Sequence, residues 1–256
     1  MTRRQFTSLR CRSPFTLFPA AAVVLPLRLF GQAIADNSFL VEEAYNQEAG
    51  VVQHISTWSR PHGGGAWDYS FTQEWPIGGP THQVSYTIPV VDPSGGEAAG
   101  IGDAALHYRH QLVGEGHPVH VAPRGSLLLP TGSASEGRGS GRIGLQLNLP
   151  VSWELTPALV THWNAGATVM GSSTDLHLAA SAVWRVRRAV NVLLEALWLE
   201  PDGVYLNPGV RWAHDLAGGL QVVPGLAYTV AVGPDAGRDA LFLYLSLEHP
   251  FRGLSP

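Results

Sequence analysis

The chain of 256 residues has no lysine, one cysteine and few charges. Charged residues make up 14% of the sequence, well below the quarter that is usual in soluble domains. The net charge is −4 and no arginine-rich stripe occurs, so we expect no nucleic-acid partner. Because the one cysteine, Cys11, lies near the N-terminus, the rest of the chain offers no disulfide, no thiolate nucleophile and no cysteine-based metal site.

The first 35 residues have the composition of an export signal. Arginines without any acidic residue precede an apolar stretch, and "GQAIAD" offers a small-residue cleavage site before Asp36. We therefore predict a signal peptide over residues 1–35. This segment carries five arginines and no acid, so the net charge of −4 becomes −9 without it. Beyond it no run of about 20 apolar residues occurs, and no membrane-spanning helix is expected.

Helix patterns are almost absent from the rest of the chain, whereas strand patterns recur. Runs of roughly 8–14 alternating apolar and polar residues are separated by turns rich in glycine and proline. The twelve runs are 49–58, 66–76, 80–91, 100–112, 117–131, 141–152, 155–169, 173–186, 189–200, 204–215, 219–232 and 238–249. No shift in composition divides them, so we predict one domain over residues 49–256. The one stretch with a helical pattern is "FLVEEAYNQEAG", at 39–50.

Two architectures suit this alternation. A soluble sandwich buries its apolar faces against each other, whereas a membrane barrel exposes them to lipid and turns its polar faces into the lumen. Three features favour the barrel: the export signal, tryptophans near the strand ends, and polar faces that mix charges with small or aromatic residues. Short connections also alternate with longer, glycine-rich ones, as on the two rims of an outer-membrane barrel.

We therefore predict an all-β protein, a single antiparallel transmembrane β-barrel of about 12 strands. Its expected location is the outer membrane of a Gram-negative bacterium, and its expected partners are outer-membrane lipid and the barrel-assembly machinery. In the last run, "DALFLYLSLEHPF", the leucines should face lipid, while Tyr244, Ser246 and Glu248 should face the lumen.

Charged residues on the inward faces are the candidate site. The candidates for the lumen wall or a constriction are Arg109, Arg124, Arg142, Arg185, Glu195, Arg211 and Glu248. Of these, Arg185, Glu195 and Arg211 lie on consecutive runs and could form a cross-strand charge ladder. Such a ladder would either stabilise the interior or form a constriction that selects permeants.

Residues 36–48 precede the first run and form a separate segment. The segment either folds into the lumen as a plug or lies in the periplasm. The simplest alternative is a polar leader that caps the first strand. The candidate plug residues are Glu42, Glu43, Tyr45 and Glu48.

Catalytic and metal-binding motifs are scarce. There is no HExxH, GxSxG or P-loop pattern, so we predict no enzymatic activity, no metal and no cofactor. Eleven histidines are scattered along the chain, and the close pair His107 and His110 should point to opposite faces. The pair His54 and Ser56 matches the His-x-Ser of twelve-stranded outer-membrane phospholipases, which leaves a hydrolase as the least favoured alternative.

Four stretches carry a resemblance to a known family. They are "FLVEEAYNQEAGVVQHI" (39–55), "GIGDAALHYRHQL" (100–112), "APRGSLLLPTGS" (122–133) and "GSGRIGLQLNLPVSW" (139–153). They resemble the transporter-like outer-membrane proteins grouped with the meta-pathway phenol-degradation proteins. The resemblance implies outer-membrane transport, for some members of aromatic compounds, and no catalytic residues.

The expected function is thus a passive channel or transporter for small molecules, aromatic or hydrophobic ones among them. The alternative is a closed structural or ligand-binding barrel without transport.

Overall fold

A computed structural model describes residues 38–93, 98–233 and 238–251; the expected signal peptide lies outside these ranges. The described residues form fifteen strands and two single-turn 3-10 helices. The strands are β1 (Val51–Pro61), β2 (Trp67–Ile77), β3 (His82–Asp92), β4 (Gly100–Ile101), β5 (Ala104–His110), β6 (Val119–Val121), β7 (Arg124–Leu129), β8 (Gly144–Thr156), β9 (Leu159–Met170), β10 (Ser173–Arg187), β11 (Val190–Leu199), β12 (Gly203–Trp212), β13 (His214–Asp215), β14 (Gln221–Val232) and β15 (Ala240–Pro250).

The sheet closes on itself. Every pairing is antiparallel, and β15 pairs with β1 over the whole length of both strands. At three positions in the barrel, two successive strands share one place: β4 and β5 both pair with β3, β6 and β7 with β8, and β12 and β13 with β14. The barrel therefore has twelve strand positions, and the predicted twelve-stranded antiparallel barrel is confirmed.

Side chains alternate between an apolar outer face and an inner face, as predicted. On β8, Leu145, Leu147 and Leu149 are 58%, 68% and 45% exposed, whereas Asn148 between them is buried. On β15, the leucines at 241, 243 and 245 are exposed, whereas Tyr244 and Ser246 are buried. An outer surface of this composition matches the hydrocarbon of a bilayer rather than water. No helix among residues 38–93, 98–233 and 238–251 is long and apolar enough to cross a membrane.

The connections divide into two rims. The N-terminal rim is where β1 begins and β15 ends, and it carries tight turns such as those at 78–81, 157–158 and 188–189. The opposite rim, called the loop rim here, carries the longest connection, residues 130–143. Asp103 holds that loop: its carboxylate accepts hydrogen bonds from the N–H of Gly132 at 3.0 Å and from the N–H and hydroxyl of Ser140, both at 2.6 Å.

Candidate functional site

Residues 38–48, called the lumenal segment here, lie against the inward-facing side chains of the barrel. Along the chain, the segment contacts side chains of β10 and β11, then of β9 and β8, then of β5 and β3, before the chain enters β1 at Val51. Val41 and Ala44 are 2% and 0% exposed. The segment contains no helix, so the helical turn expected at 39–50 is wrong.

The first anchor of the segment is Glu195 on β11. One carboxylate oxygen, Oε1, accepts hydrogen bonds from the consecutive backbone N–H groups of Phe39, Leu40 and Val41, at 2.9, 2.8 and 2.9 Å. The other oxygen accepts from the side-chain amide of Asn207 at 2.6 Å. A buried carboxylate is costly unless it is paired or hydrogen-bonded, and these four donors meet that requirement.

Amide and hydroxyl side chains of the wall continue the anchoring. Asn164 bonds both to the N–H and to the carbonyl of Glu42, at 2.8 Å each. The Ser152 hydroxyl accepts from the N–H of Ala44 at 2.7 Å, and the Gln83 side chain accepts from the N–H of Gln47 at 2.7 Å. Because wall side chains satisfy these backbone groups, the segment needs no internal helical bonds.

Arg109 on β5 is the second anchor. Its guanidinium donates to the carbonyls of Glu43 at 3.1 Å and Tyr45 at 2.5 Å, and to the Asn46 side-chain oxygen at 2.9 Å. It also lies 3.6 Å from the Glu43 carboxylate and 3.9 Å from that of Glu74. The five donors of a guanidinium suit such a divided set of acceptors. Arg109 is thus buried and bound almost entirely to the lumenal segment.

The other candidate plug residues differ in their surroundings. Glu42 forms an ion pair with Arg124 of β7. The Tyr45 ring packs on His120, with 4.5 Å between ring centroids, and its hydroxyl donates to Glu154 at 3.5 Å. Glu48 is exposed, and its carbonyl accepts a hydrogen bond from the N–H of Val51 at 3.0 Å.

The candidate wall residues also divide into groups. Arg109, Arg124 and Glu195 contact the lumenal segment directly. Arg211 and Glu248 are buried on the inner face, where Glu248 accepts a hydrogen bond from the Gln53 side chain at 2.8 Å. Arg142 is exposed in the bend before β8, which begins only at Gly144. The alternation of the strand would place Arg142 on the inner face, but it lies beyond the end of the wall.

The predicted charge ladder is wrong. Arg185 on β10 and Arg211 on β12 both lie opposite Asn191 of β11, whereas Glu195 lies opposite Ser181 and Asn207. Along β11, Glu195 therefore lies two inward-facing positions away from Asn191, which is paired with both arginines. Alternation predicts which face a residue occupies, but the level depends on the register between strands.

The pair His54 and Ser56 lies on the outer face of β1. His54 bonds through its ring nitrogens to His249 and Gln73, at 3.1 Å each, and the Ser56 hydroxyl bonds to the Tyr69 hydroxyl at 3.1 Å. Each member of the pair is thus bonded to a neighbouring strand. Among the residues that the structure describes, no group of three or more His, Cys, Asp or Glu is arranged to hold a metal ion.

The lumen has two unlike sides. From β1 to β9 the inward side chains are mostly hydroxyls, amides, imidazoles and charges, as in the bonded series Thr72, Thr87, His107 and Ser126. From β10 to β15 many are apolar, and Ala213, Val223, Ala227, Phe242 and Tyr244 form a buried cluster. Phe39 of the lumenal segment packs on this cluster, with 5.6 Å to Phe242 and 5.0 Å to Tyr244 between ring centroids.

Most of the lumenal contacts escaped prediction from the sequence. No sequence motif marks the residues involved, which are Phe39, Asn164, Ser152, Gln83 and Gln111. For the residues on strands of the wall, the one available signal was the alternation that places them on the inner face.

Residues 31–234 match the profile of the family described as "Putative MetA-pathway of phenol degradation". The chain belongs to this family. No curated protein matches it. Among solved structures, the family member is similar to the KdgM porin (TM-score 0.55, 6% identity, 78% of this chain and 99% of that chain covered). It is also similar to the NanC porin (TM-score 0.54, 6% identity, 77% and 100% covered).

At such low identity the likeness concerns the fold, which is that of the outer-membrane porins. The closed barrel and its apolar outer face agree with that fold and with the family. Together they place this family member in the bacterial outer membrane.

We expect the docking of the lumenal segment to depend on pH through the Glu43 carboxyl. Burial raises the pKa of Glu43 above its usual 4.5, and the nearby Arg109 guanidinium only partly opposes this. The docked segment therefore binds a proton more tightly than the free one, so docking strengthens as the pH falls through the raised pKa and weakens as it rises. We expect Glu43→Gln to keep the segment docked and to flatten the dependence of protease protection of residues 38–48 on pH between 4 and 8. A variant with an unchanged pH profile would contradict this assignment.

Proposed function

We infer that the protein is a passive channel for small molecules across the outer membrane, and that residues 38–48 close it. One observation carries the inference: within the described residues, and apart from the turn bond from Val51 to Glu48, each hydrogen bond between the segment and the barrel wall involves a side chain. Its described hydrogen bonds go to Glu195, Asn164, Ser152, Arg109 and similar groups, and none adds a rung to the sheet. It can therefore leave without opening a single strand pairing.

The wall supports passage once the segment is released. The freed groups would line a lumen with a polar side and an apolar side, which suits small molecules that have both kinds of surface. The KdgM porin, which has the same fold, forms a complex with disordered oligogalacturonate, and this supports a small-molecule permeant. The proposal requires no catalytic residue.

The proposal is tested by removing the segment. We expect deletion of residues 38–48 from the full chain to raise single-channel conductance in planar bilayers above that of the intact protein. A matched control replaces the same eleven positions with a Gly/Ser sequence, which keeps the length but lacks Phe39, Glu42 and Glu43. It should conduct like the deletion. Equal, near-zero conductance of all three proteins would contradict the proposal.

A second candidate function is a closed barrel that does not transport. The number of hydrogen bonds to the segment favours it, because releasing the segment breaks these bonds at a cost in free energy. The same three proteins decide between the candidates, since a solid barrel stays silent with and without the segment.

A further inference from the structure

Two glycines on the apolar side of the lumen lie against the aromatic ring of Phe39. Gly209 on β12 and Gly225 on β14 point into the lumen, in neighbouring strands that pair there. Glycine is disfavoured inside a strand because it adds no side-chain packing and loses backbone entropy. Neither glycine has a positive φ, so the backbone conformation at these positions does not require it; a Cβ at Gly209 would also lie 3.0 Å from the Leu226 carbonyl.

The space that they leave is filled by Phe39. A Cβ atom at Gly209 would lie 2.7 Å from the edge of the Phe39 ring, and one at Gly225 would lie 2.5 Å from it. Real side chains do not approach so closely, so any larger residue would expel the ring. Phe242 and Tyr244 of β15 complete the site with tilted ring contacts. The wall is thus shaped for one flat aromatic ring.

The ring that occupies this site belongs to the lumenal segment, which the proposed function makes displaceable. Phe39 is held by its own packing and by the backbone bond to Glu195, and it is not part of the sheet. A free ring of the same size could make the same contacts whenever Phe39 withdraws. Because two occupants of one site compete, a free ring would favour the undocked segment in proportion to its affinity.

We propose that the cage formed by Gly209, Gly225, Phe242 and Tyr244 is a binding site for single-ring aromatic molecules, and that such a molecule opens the channel by replacing Phe39. The site itself stands on packing geometry; the opening rests on the proposed channel function. The permeating molecule then also opens the channel, and Phe39 occupies its binding site while the channel is closed.

The test of the site uses the full chain with Phe39→Ala and two matched alcohols. Benzyl alcohol has a flat ring, whereas cyclohexylmethanol has a puckered ring with the same substituent. We expect benzyl alcohol to raise the unfolding temperature of Phe39→Ala, measured by heat-modifiable electrophoretic mobility. It should do so at about tenfold lower concentration than cyclohexylmethanol, since the two ring contacts favour a flat occupant.

Two controls locate the effect. Gly225→Ala, added to Phe39→Ala, places a methyl group in the site and should abolish the response to benzyl alcohol. Val41→Ala opens a void elsewhere on the same segment but keeps Phe39 in the site, so its response should be much weaker than that of Phe39→Ala. Equal responses of the two alcohols, or a full response in either control, would overturn the site. Phe39→Leu supplies a second variant with a smaller void, in which a weaker response is expected.

Opening is measured separately on the intact chain. Benzyl alcohol should raise its conductance and leave the conductance of the 38–48 deletion unchanged. Binding to Phe39→Ala without any change in conductance would keep the site and refute its role in opening. A deletion that conducts, together with an absence of binding, would refute the site and keep the channel.

Discussion

Replacing Arg109 with methionine should release the lumenal segment and open the barrel. The substitution keeps a long apolar side chain but removes the donors to two backbone carbonyls and to Asn46. It also leaves the carboxylates of Glu43 and Glu74 without their nearest arginine. Breaking a buried ion pair by removing one partner costs about 3–5 kcal/mol. We expect the conductance of Arg109→Met to approach that of the 38–48 deletion.

A matched control separates this effect from a general loss of positive charge. Arg142 is exposed at the loop rim and has no described contact with the segment. Arg142→Met should therefore keep the low conductance and the heat-modifiable mobility of the intact protein. If the two variants conduct alike, Arg109 does not hold the segment in place.

The second large effect concerns the outer face. Leu178 lies near the middle of β10 and is 53% exposed, whereas its neighbour His177 points into the lumen. An arginine on the lipid side near the bilayer midplane costs about 2–4 kcal/mol. Leu178→Arg should lower the free energy of unfolding by this amount, measured by urea unfolding in lipid vesicles.

The adjacent residue provides the control for the same charge. His177→Arg adds an arginine one position away on the inner face, where the lumen already accommodates polar groups such as Asn148. We expect it to cost less than about 1 kcal/mol. Equal losses for Leu178→Arg and His177→Arg would mean that the outer face of β10 is not in contact with lipid.

Several features could be predicted from local pattern. The twelve strand positions, the inward side of Tyr244 and Ser246 and the outward side of the leucines follow from alternation with period two. The extent of β8 was less accurate: Arg142 has the right parity, but the strand starts two residues later. Strand ends depend on where pairing partners stop, and parity carries no information about that.

Features that depend on distant parts of the chain could not be predicted. Asn191 lies between Arg185 and Arg211 because of the register in which β10, β11 and β12 pair. Gly209 and Gly225 each follow a proline, and Pro-Gly normally indicates a turn, yet both pairs lie inside strands. A Cβ atom at either position would meet the Phe39 ring, which lies 170 residues before Gly209 and 186 before Gly225 in the chain.

The sequence by itself determined the class of the protein: a chain of alternating strands whose two faces differ in polarity. That information is local, because side-chain direction in a strand depends only on the neighbouring residues. The tertiary structure alone decided what the inner face does. Closure and register bring Glu195, Arg109 and the glycine cage around residues 38–48, so that side chains from several strands hold one segment in the lumen.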